Sequence, residues 1–226
     1  MKNIFRISGI ILLIVSLLFI HFCKKNDDSA VKDVDGNIYT SVIIGTQEWL
    51  VQNLKTTKYN DSTSIPNVGD NTTWAGLRTG ACCWYNNDEN TYKAAYGTLY
   101  NWYAVNAGKL CPIDWHVPTD AEWTKLTTYL GGESIAGAKL KERGTTHWHV
   151  PNTEATNETG FTALPGGYRF NYGIFDNVGY DGFWWSSTEY DINYAMFRNV
   201  YYFNIDVYRF NYMESDGLSV RCLRDY

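Results

Sequence analysis

The sequence predicts an α+β domain behind an N-terminal export segment. Helical patterns lie in the middle third of the chain, and segments with the composition and alternation of β-strands lie on both sides of them. The chain contains nine tryptophans and eighteen tyrosines, whose large rings with a polar tip suit irregular cores and contact surfaces. No linker rich in Pro, Gly or Ser divides it, so a single domain is predicted over residues 33–226.

The N-terminal segment 1–22 has the features of a bacterial lipoprotein signal peptide. Two basic residues, Lys2 and Arg6, precede an apolar run from Ile7 to Phe22. The run is shorter than the roughly 20 apolar residues that span a bilayer. Cys23 ends the run and resembles the cysteine that is acylated and becomes the new N-terminus. We therefore expect a lipid on Cys23 and a lipidated polar tether over residues 23–32. An uncleaved N-terminal anchor is the alternative, because bulky residues precede the cysteine.

The net charge of the chain limits the kinds of partner that we expect it to bind. The formal net charge is −5, and it becomes −7 once the two cations of the predicted signal peptide are removed. This mild acidity argues against nucleic acid, because binding to phosphates needs a basic face. The expected partners are the membrane, through the N-terminal lipid, and either a polysaccharide or another envelope protein.

The first part of the domain is predicted to contain strands and irregular loops. Asp35-Gly36-Asn37 has turn chemistry, and Ile38–Ile44 is rich in β-branched and aromatic residues, which together predict a hairpin. Residues 55–98 are polar, aromatic and irregular. A short helix is expected from Leu99, ending at Gly108.

The clearest helix begins at Thr119. Thr119 and Glu122 have the spacing of a capping box, in which two otherwise unpaired N–H groups are satisfied. Gly131-Gly132 ends the helix, and a second short helix is expected near Glu133–Lys141. The apolar stripe of the first helix consists of Ala121, Trp123, Leu126 and Leu130.

The final third predicts short β segments separated by turns. Trp184 and Trp185 must point to opposite faces of an extended strand, so we expect one in the core and the other at the surface. The last segment predicts a terminal strand with one buried face. In this segment, Leu218, Val220 and Cys222 alternate with Ser219, Arg221 and Leu223.

Four cysteines remain after Cys23, and an even number in an exported chain indicates disulfides. They are Cys82, Cys83, Cys111 and Cys222. A bond between the two adjacent cysteines would need a strained ring, so Cys111 is expected to pair with Cys83 or Cys222. The cysteines lack the CxxC spacing of zinc sites and the histidines are scattered, so neither a metal nor another cofactor is expected.

Eight segments follow one another along the mature chain in a characteristic order. They are DGNIYTSVIIGTQEWLVQNL, YNDSTSIPNV, GACCWYNND, YGTLYNWYAV, CPIDWHVPTDAEWTKLTTYLGG, TGFTALPGGYR, WWSSTEY and SVRCLRD. Together they resemble the Fibrobacter succinogenes major paralogous domain, a family of exported and often lipid-anchored bacterial proteins. The resemblance implies a place in the cell envelope. Acidic residues soon after Cys23 further favour the outer membrane, with the domain exposed at the cell surface.

A weaker resemblance connects the chain with the sulfatase-modifying (formylglycine-generating) enzymes and with the C-type lectin-like fold. It rests on Val117–Trp123, Gly166–Arg169 and Ser219–Cys222. It implies two helices packed on small twisted antiparallel sheets, with long ordered loops. The sulfatase-modifying enzymes bind copper through a late pair of cysteines, whereas only Cys222 lies in that region here, so no enzyme activity is expected.

The expected function is non-catalytic binding, with a polysaccharide as the candidate ligand. Sugars offer C–H faces to aromatic rings and hydroxyls to polar side chains. Trp148, Tyr168 and Trp185 lie among Asn and Asp residues of the loop-rich final third, and we take them as the candidate ligand-binding rings. The calcium motifs of lectins are absent from the sequence. A structural surface scaffold is the first alternative, and an enzyme related in fold to the sulfatase-modifying enzymes is the second.

Overall fold

A computed structural model describes residues 30–226. The predicted signal peptide and Cys23 lie outside the described residues. Over the described range the fold is mixed α/β, with five helices and several small antiparallel sheets. None of the helices in this range has the length and apolar character needed to cross a membrane.

The elements are short and are joined by long ordered loops. The helices are α1 (Asn71–Ala75), α2 (Glu89–Tyr96), α3 (Trp102–Asn106), α4 (Asp120–Tyr129) and α5 (Glu133–Leu140). The strands are β1 (Val31–Lys32), β2 (Ile38–Tyr39), β3 (Ser41–Ile44), β4 (Gln47–Leu50), β5 (Cys82–Cys83), β6 (Leu99–Tyr100), β7 (Trp115–His116), β8 (Gly166–Arg169), β9 (Phe175–Val178), β10 (Asp181–Asp191), β11 (Tyr194–Tyr201), β12 (Tyr208–Met213) and β13 (Leu223–Arg224). The sheets have the strand orders β1-β2, β3-β4-β13-β7, β5-β6, β8-β9 and β10-β11-β12.

Helix α4 begins as the sequence predicts. The Thr119 hydroxyl accepts a hydrogen bond from the Glu122 N–H at 3.2 Å, and the Glu122 carboxylate accepts one from the Thr119 N–H at 2.8 Å. This confirms the capping box. Trp123 lies on the buried side of the helix, where its ring centroid is 4.7 Å from that of Trp49. Gly131 follows the helix with a φ of 102°, a conformation that glycine adopts readily, and α5 comes next.

The helix expected from Leu99 to Gly108 is shorter than predicted. Leu99–Tyr100 pairs with β5 as strand β6, and α3 starts only after it. Asn101 caps α3, because its side-chain oxygen accepts a hydrogen bond from the Ala104 N–H at 3.2 Å. Pairing with another strand thus converts the first residues of the predicted helix into β structure.

Strand β10 separates two hydrophobic cores. Trp184 belongs to the core that contains Trp123 and Phe161, whereas Trp185 belongs to the core that contains Tyr100 and Phe197. The two indoles point to opposite faces as expected. The expectation that one of them is exposed is wrong, because a layer of the protein covers each face of the strand.

The C-terminal segment is buried on both faces, so the predicted strand with one buried face is also wrong. Residues 218–223 are all buried, and only Leu223–Arg224 forms a strand. Leu218, Val220 and Cys222 join the core around Trp185, while Leu223 joins the core around Trp184. The segment therefore runs between the two cores.

One disulfide joins Cys111 to Cys222. Of the two partners that the sequence left open for Cys111, the structure has Cys222. Cys82 and Cys83 are buried and are not bonded to another cysteine. Their side chains point to opposite sides of β5 and enter two different cores.

Candidate functional site

One face of the sheet β10-β11-β12 is covered by helix α4. Arg198 of β11 donates a hydrogen bond of 2.6 Å to the Asp120 carboxylate of α4, and Arg209 of β12 donates one of 2.8 Å to the same group. Successive side chains of a strand point to opposite faces. The residues that alternate with these arginines therefore lie on the face turned away from α4.

That second face carries a series of aromatic rings. We call it the aromatic face and define it by Tyr168, Phe170, Tyr172, Phe197, Tyr201, Phe203, Tyr208, Phe210 and Tyr212. Each ring contacts the next, with centroids 4.3–6.4 Å apart, in one path from Phe203 through Phe210 to Tyr172. Such distances are those of favourable ring pairs. Strands β8, β11 and β12, with the loops that follow β8 and β11, therefore arrange these rings in a continuous series.

Several rings of the aromatic face are open to solvent. The exposed fractions are 55% for Phe203, 51% for Phe210 and 51% for Tyr172. Tyr201, Tyr208, Tyr212 and Phe170 are half-buried. The face is thus accessible near both ends and in the middle, while Phe197 and Tyr168 anchor it to the core.

Two polar side chains lie on the same side of the sheet as these rings. Asp181 pairs with Tyr201 across the strands, and Asn199 lies between Phe183 and Tyr208. Burial, together with the nearby charge of Asp176, raises the pKa of Asp181 to about 7. Asn199 is fully buried, and neither atom of its amide has a hydrogen-bond partner.

The three rings chosen from the sequence are not surface residues. Trp148 is 2% exposed, Tyr168 is 5% exposed and Trp185 is fully buried. The Trp148 indole donates to the Ala163 carbonyl oxygen at 3.0 Å, and the Trp185 indole donates to that of Tyr100 at 2.8 Å. The expectation that these rings are open to a ligand is therefore wrong. Other parts of the protein bury the three rings and accept the hydrogen bonds of the two indole N–H groups. Only Tyr168 takes part in the aromatic face, from below.

The accessible rings were missed although the sequence contains a signal for them. In residues 208–213 an aromatic side chain stands at every second position, and Arg209, Asn211 and Met213 stand between them. This alternation is typical of a strand with one aromatic face. It does not reveal exposure, because exposure depends on whether another layer covers that face.

His116 is held between two carboxylates. Its Nε2 lies 3.1 Å from Glu122, and its Nδ1 contacts the carboxylate of Asp225. The hydrogen bond to Glu122 raises the pKa of His116, although burial opposes the shift. Both ring nitrogens are engaged by carboxylates, so His116 ties the C-terminal segment to α4.

The other two histidines of the described range, His147 and His149, lie in separate contacts. His147 is 2.9 Å from the Glu142 carboxylate, and the ring of His149 stacks on Tyr180 at 4.6 Å. Within residues 30–226, no group of three or more His, Cys, Asp or Glu side chains has an arrangement that would hold a metal ion.

An open groove of about 730 Å³ lies beside α5. It is lined by Ile135, Ile205 and several side chains of both charges. Lys139 forms an ion pair of 3.4 Å with Glu158 at its wall. The groove offers no ring surface and no buried polar group, so the aromatic face is the stronger candidate site.

Residues 42–224 match the protein family described as the Fibrobacter succinogenes major domain. No curated protein and no solved structure matches the chain. The matched range includes α4, the disulfide and every ring of the aromatic face. The chain therefore belongs to the Fibrobacter succinogenes major domain family.

Proposed function

We propose that this protein is a non-catalytic binding module of the cell envelope and that its aromatic face binds polysaccharide. The observation that carries the proposal is the unbroken path of ring contacts from Phe203 to Tyr172, with accessible rings at both ends and polar side chains beside them. Exposed rings in a fixed array are typical of recognition surfaces rather than of a core.

The chemistry of the face suits sugars. A sugar ring has an apolar C–H side that packs on an aromatic ring, and hydroxyls that need hydrogen-bond partners. Phe210 and Tyr208 are nearly parallel, with an interplanar angle of 10°, so together they present a flat apolar area. The phenol groups supply polar partners near it, and the buried Asp181 lies beside Tyr201. An extended array favours a polymer over a single small molecule.

We propose in addition that the fold is C-type lectin-like. Helices α4 and α5 pack beside small antiparallel sheets, and long ordered loops connect the elements. Strand β13 near the C-terminus pairs with β4 near the beginning of the described range. The disulfide closes the same region from Cys111. These features support the proposed fold and leave the aromatic face on an outer sheet.

The membrane anchor on Cys23 completes the proposal. Seven residues lead from Cys23 to Ala30, which spans at most roughly 25 Å when extended. A lipid on Cys23 would thus keep the aromatic face close to the envelope surface, where matrix or capsular polysaccharide is concentrated. Outer-membrane location and surface exposure are part of this proposal.

Affinity electrophoresis tests the binding function. The full-length chain, kept soluble in a polyoxyethylene detergent, is run through native gels that contain arabinoxylan, galactomannan, mixed-linkage β-glucan or dextran. We expect at least one of these polymers to retard the protein. Phe210→Ala and Tyr208→Ala should each weaken binding about thirtyfold, as truncation of a ring at a binding hot spot does.

Tyr129→Ala is the matched control. Tyr129 is also an exposed ring, but it lies on α4, on the other side of the sheet. Its loss should leave retardation unchanged. A parent protein that none of the four polymers retards would contradict polysaccharide binding, and the structural scaffold would then be the better explanation.

A further inference from the structure

Asn199 differs from the other buried asparagines of the fold in the hydrogen bonds of its side-chain amide. The Asn53 oxygen accepts from Trp184 and Arg221 while its amide N–H donates to the Tyr96 carbonyl oxygen. Asn101 is satisfied in the same way at both atoms, by Ala81 and Thr79. Asn152 leaves only its oxygen unpaired.

Asn199 alone among these four leaves both the donor and the acceptor of its amide unpaired. A buried polar group without partners opposes folding, and native proteins keep such groups rarely. A group of this kind is a candidate for recognition of a ligand that supplies the missing partners.

The position of Asn199 connects it to the proposed binding surface. It lies on the side of β11 that carries the aromatic face, and the register places it directly beside Tyr208 of β12. Tyr201 is two residues further along the same strand. The rings of Tyr201 and Tyr208 have centroids 5.0 Å apart and an interplanar angle of 70°, so they meet edge to face above this part of the strand.

Solvent reaches part of each of these two rings. Both are half-buried, and the Tyr208 hydroxyl is bonded at its tip to the Asn204 amide at 2.7 Å. Burial raises the pKa of the Tyr201 phenol, and the Asn199 side chain beside it lowers that pKa in part. The Asn199 amide therefore lies close to the Tyr201 hydroxyl. The contact lacks the geometry of a hydrogen bond. Because Asn199 is fully buried, contact between a ligand and its amide requires these two rings to turn aside.

We propose that Asn199 is the specificity-determining group of the aromatic face and that its amide binds two neighbouring hydroxyls of one sugar ring. The oxygen accepts from one hydroxyl and the N–H donates to the other, which matches the donor and acceptor character of a vicinal diol. Asp181, beside Tyr201 on β10, is placed to accept from a further hydroxyl. This inference rests on the proposed function and names its ligand class: sugars with a free vicinal diol.

Asn199→Leu separates a recognition role from a structural one. Leucine has the same branched arrangement of four side-chain heavy atoms and no polar atoms, so the variant removes the unpaired amide without leaving a cavity. If the amide serves a ligand, the variant should unfold about 2–4 °C above the parent. Its affinity for the polymer of the four-polysaccharide panel that retards the parent most should fall at least about tenfold.

Two further variants serve as a substitute and as a control in this test. Asn199→Ala should lose the same affinity, and it replaces the leucine variant if that chain does not fold. Met196→Leu changes a buried side chain on the opposite face of β11 and should leave binding unchanged.

The outcomes distinguish the inference from the proposed function. If Phe210→Ala loses binding while both Asn199 variants bind as the parent does, the role of Asn199 is overturned and the binding function stands. A lower unfolding midpoint for Asn199→Leu would overturn it as well, because it would show that the amide stabilises the fold, for example through a buried water. If no polymer retards the parent, the proposed function fails and this inference fails with it.

Discussion

The guanidinium of Arg221 stacks on the ring of Phe161 at 4.2 Å and donates a hydrogen bond of 2.7 Å to the carbonyl oxygen of the same residue. It also donates to the Leu50 carbonyl oxygen at 3.0 Å and to the Asn53 side chain at 2.8 Å. One buried cation thus joins three distant segments. Burial lowers its pKa to about 9, and no carboxylate takes part in these contacts. Backbone carbonyl groups and the ring of Phe161 offset the charge instead.

Arg221→Lys should destabilise the fold strongly. Lysine keeps the charge but cannot reproduce the planar set of donors, so carbonyl oxygens of separate segments lose their partner inside the core. We expect the free energy of unfolding to fall by about 3–5 kcal/mol, as when one partner of a buried charged network is removed. Urea unfolding followed by tryptophan fluorescence measures the change.

Arg224→Lys is the control for that substitution. Arg224 lies three residues later and is exposed, where it forms an ion pair of 3.0 Å with Glu48. Exposed pairs contribute little, so a change within about 0.5 kcal/mol is expected. Equal effects at the two positions would show that the buried network of Arg221 is not what stabilises the chain.

Arg169 and Lys141 follow the same principle as Arg221. Arg169 lies between the rings of Trp74 and Phe175 and donates to the carbonyl oxygens of Val68 and Gly173. Lys141 donates to three carbonyl oxygens at 2.7–3.1 Å, and burial lowers its pKa to about 8. Long loops leave many carbonyl groups inside the protein, and buried cations satisfy several at once.

Three stretches that lie within the family-matching segments have structural roles. Gly166–Arg169 and Ser219–Cys222 contain two of these buried arginines and one half of the disulfide, and Val117–Trp123 contains the capping box. Their side chains hold loops and helix ends in place. This explains why the sequence identifies the family with ease and yet leaves the ligand open.

Local chemistry could be predicted from the sequence, whereas burial could not. The cap of α4 depends on Thr119 and Glu122, which are three residues apart, and it was predicted correctly. The burial of Trp185 depends on β11 and on Tyr100, a residue far away in the chain. Composition alone offered no way to decide which rings another layer would cover.

Trp123 and Thr119 provide a graded test of α4. Trp123→Ala removes a buried indole that packs on Trp49, and we expect a loss of about 3–5 kcal/mol. Thr119→Ala removes only the cap and should cost about 1 kcal/mol. Chemical denaturation of both variants gives the comparison. An unchanged midpoint for Trp123→Ala would contradict the burial of its ring.

The disulfide should contribute mainly by restricting the unfolded chain. Cys111 and Cys222 are 111 positions apart, and a loop of this length corresponds to about 3–5 kcal/mol. The variant Cys111→Ser/Cys222→Ser should unfold at a correspondingly lower denaturant concentration. In the native parent, Cys82 and Cys83 should resist alkylation, because burial raises the pKa of each thiol to about 12. Peptide mapping that finds Cys111 or Cys222 alkylated without reduction would contradict the bond.

The anchor can be tested in cells. Cys23→Ala removes the thiol that the predicted lipid requires, so the protein should leave the membrane fraction for the soluble fraction. Cys82→Ala is the control, because its thiol is buried in the fold. Membrane retention of the Cys23 variant with Met1 still at its N-terminus would replace the lipoprotein signal by an uncleaved anchor.

Asp181 should make the fold less stable as the pH rises. Its pKa is raised from 3.8 to about 7 by burial and by Asp176, so the folded state holds a proton that the unfolded chain releases. The free energy of unfolding therefore falls between about pH 4 and pH 7, as the folded protein binds more protons than the unfolded one in that window. Asp181→Asn removes this group and should be the more stable protein at pH 8, by on the order of 3–4 kcal/mol, and nearly equal at pH 4.

Asp216, whose pKa burial also raises to about 7, keeps part of the pH dependence in the variant. Asp191→Asn, at an exposed position of the same strand, is the control for the substitution itself. Urea unfolding at pH 4, 6 and 8 gives the three curves, and identical slopes for the parent and Asp181→Asn would show that Asp181 titrates as an ordinary solvated carboxylate.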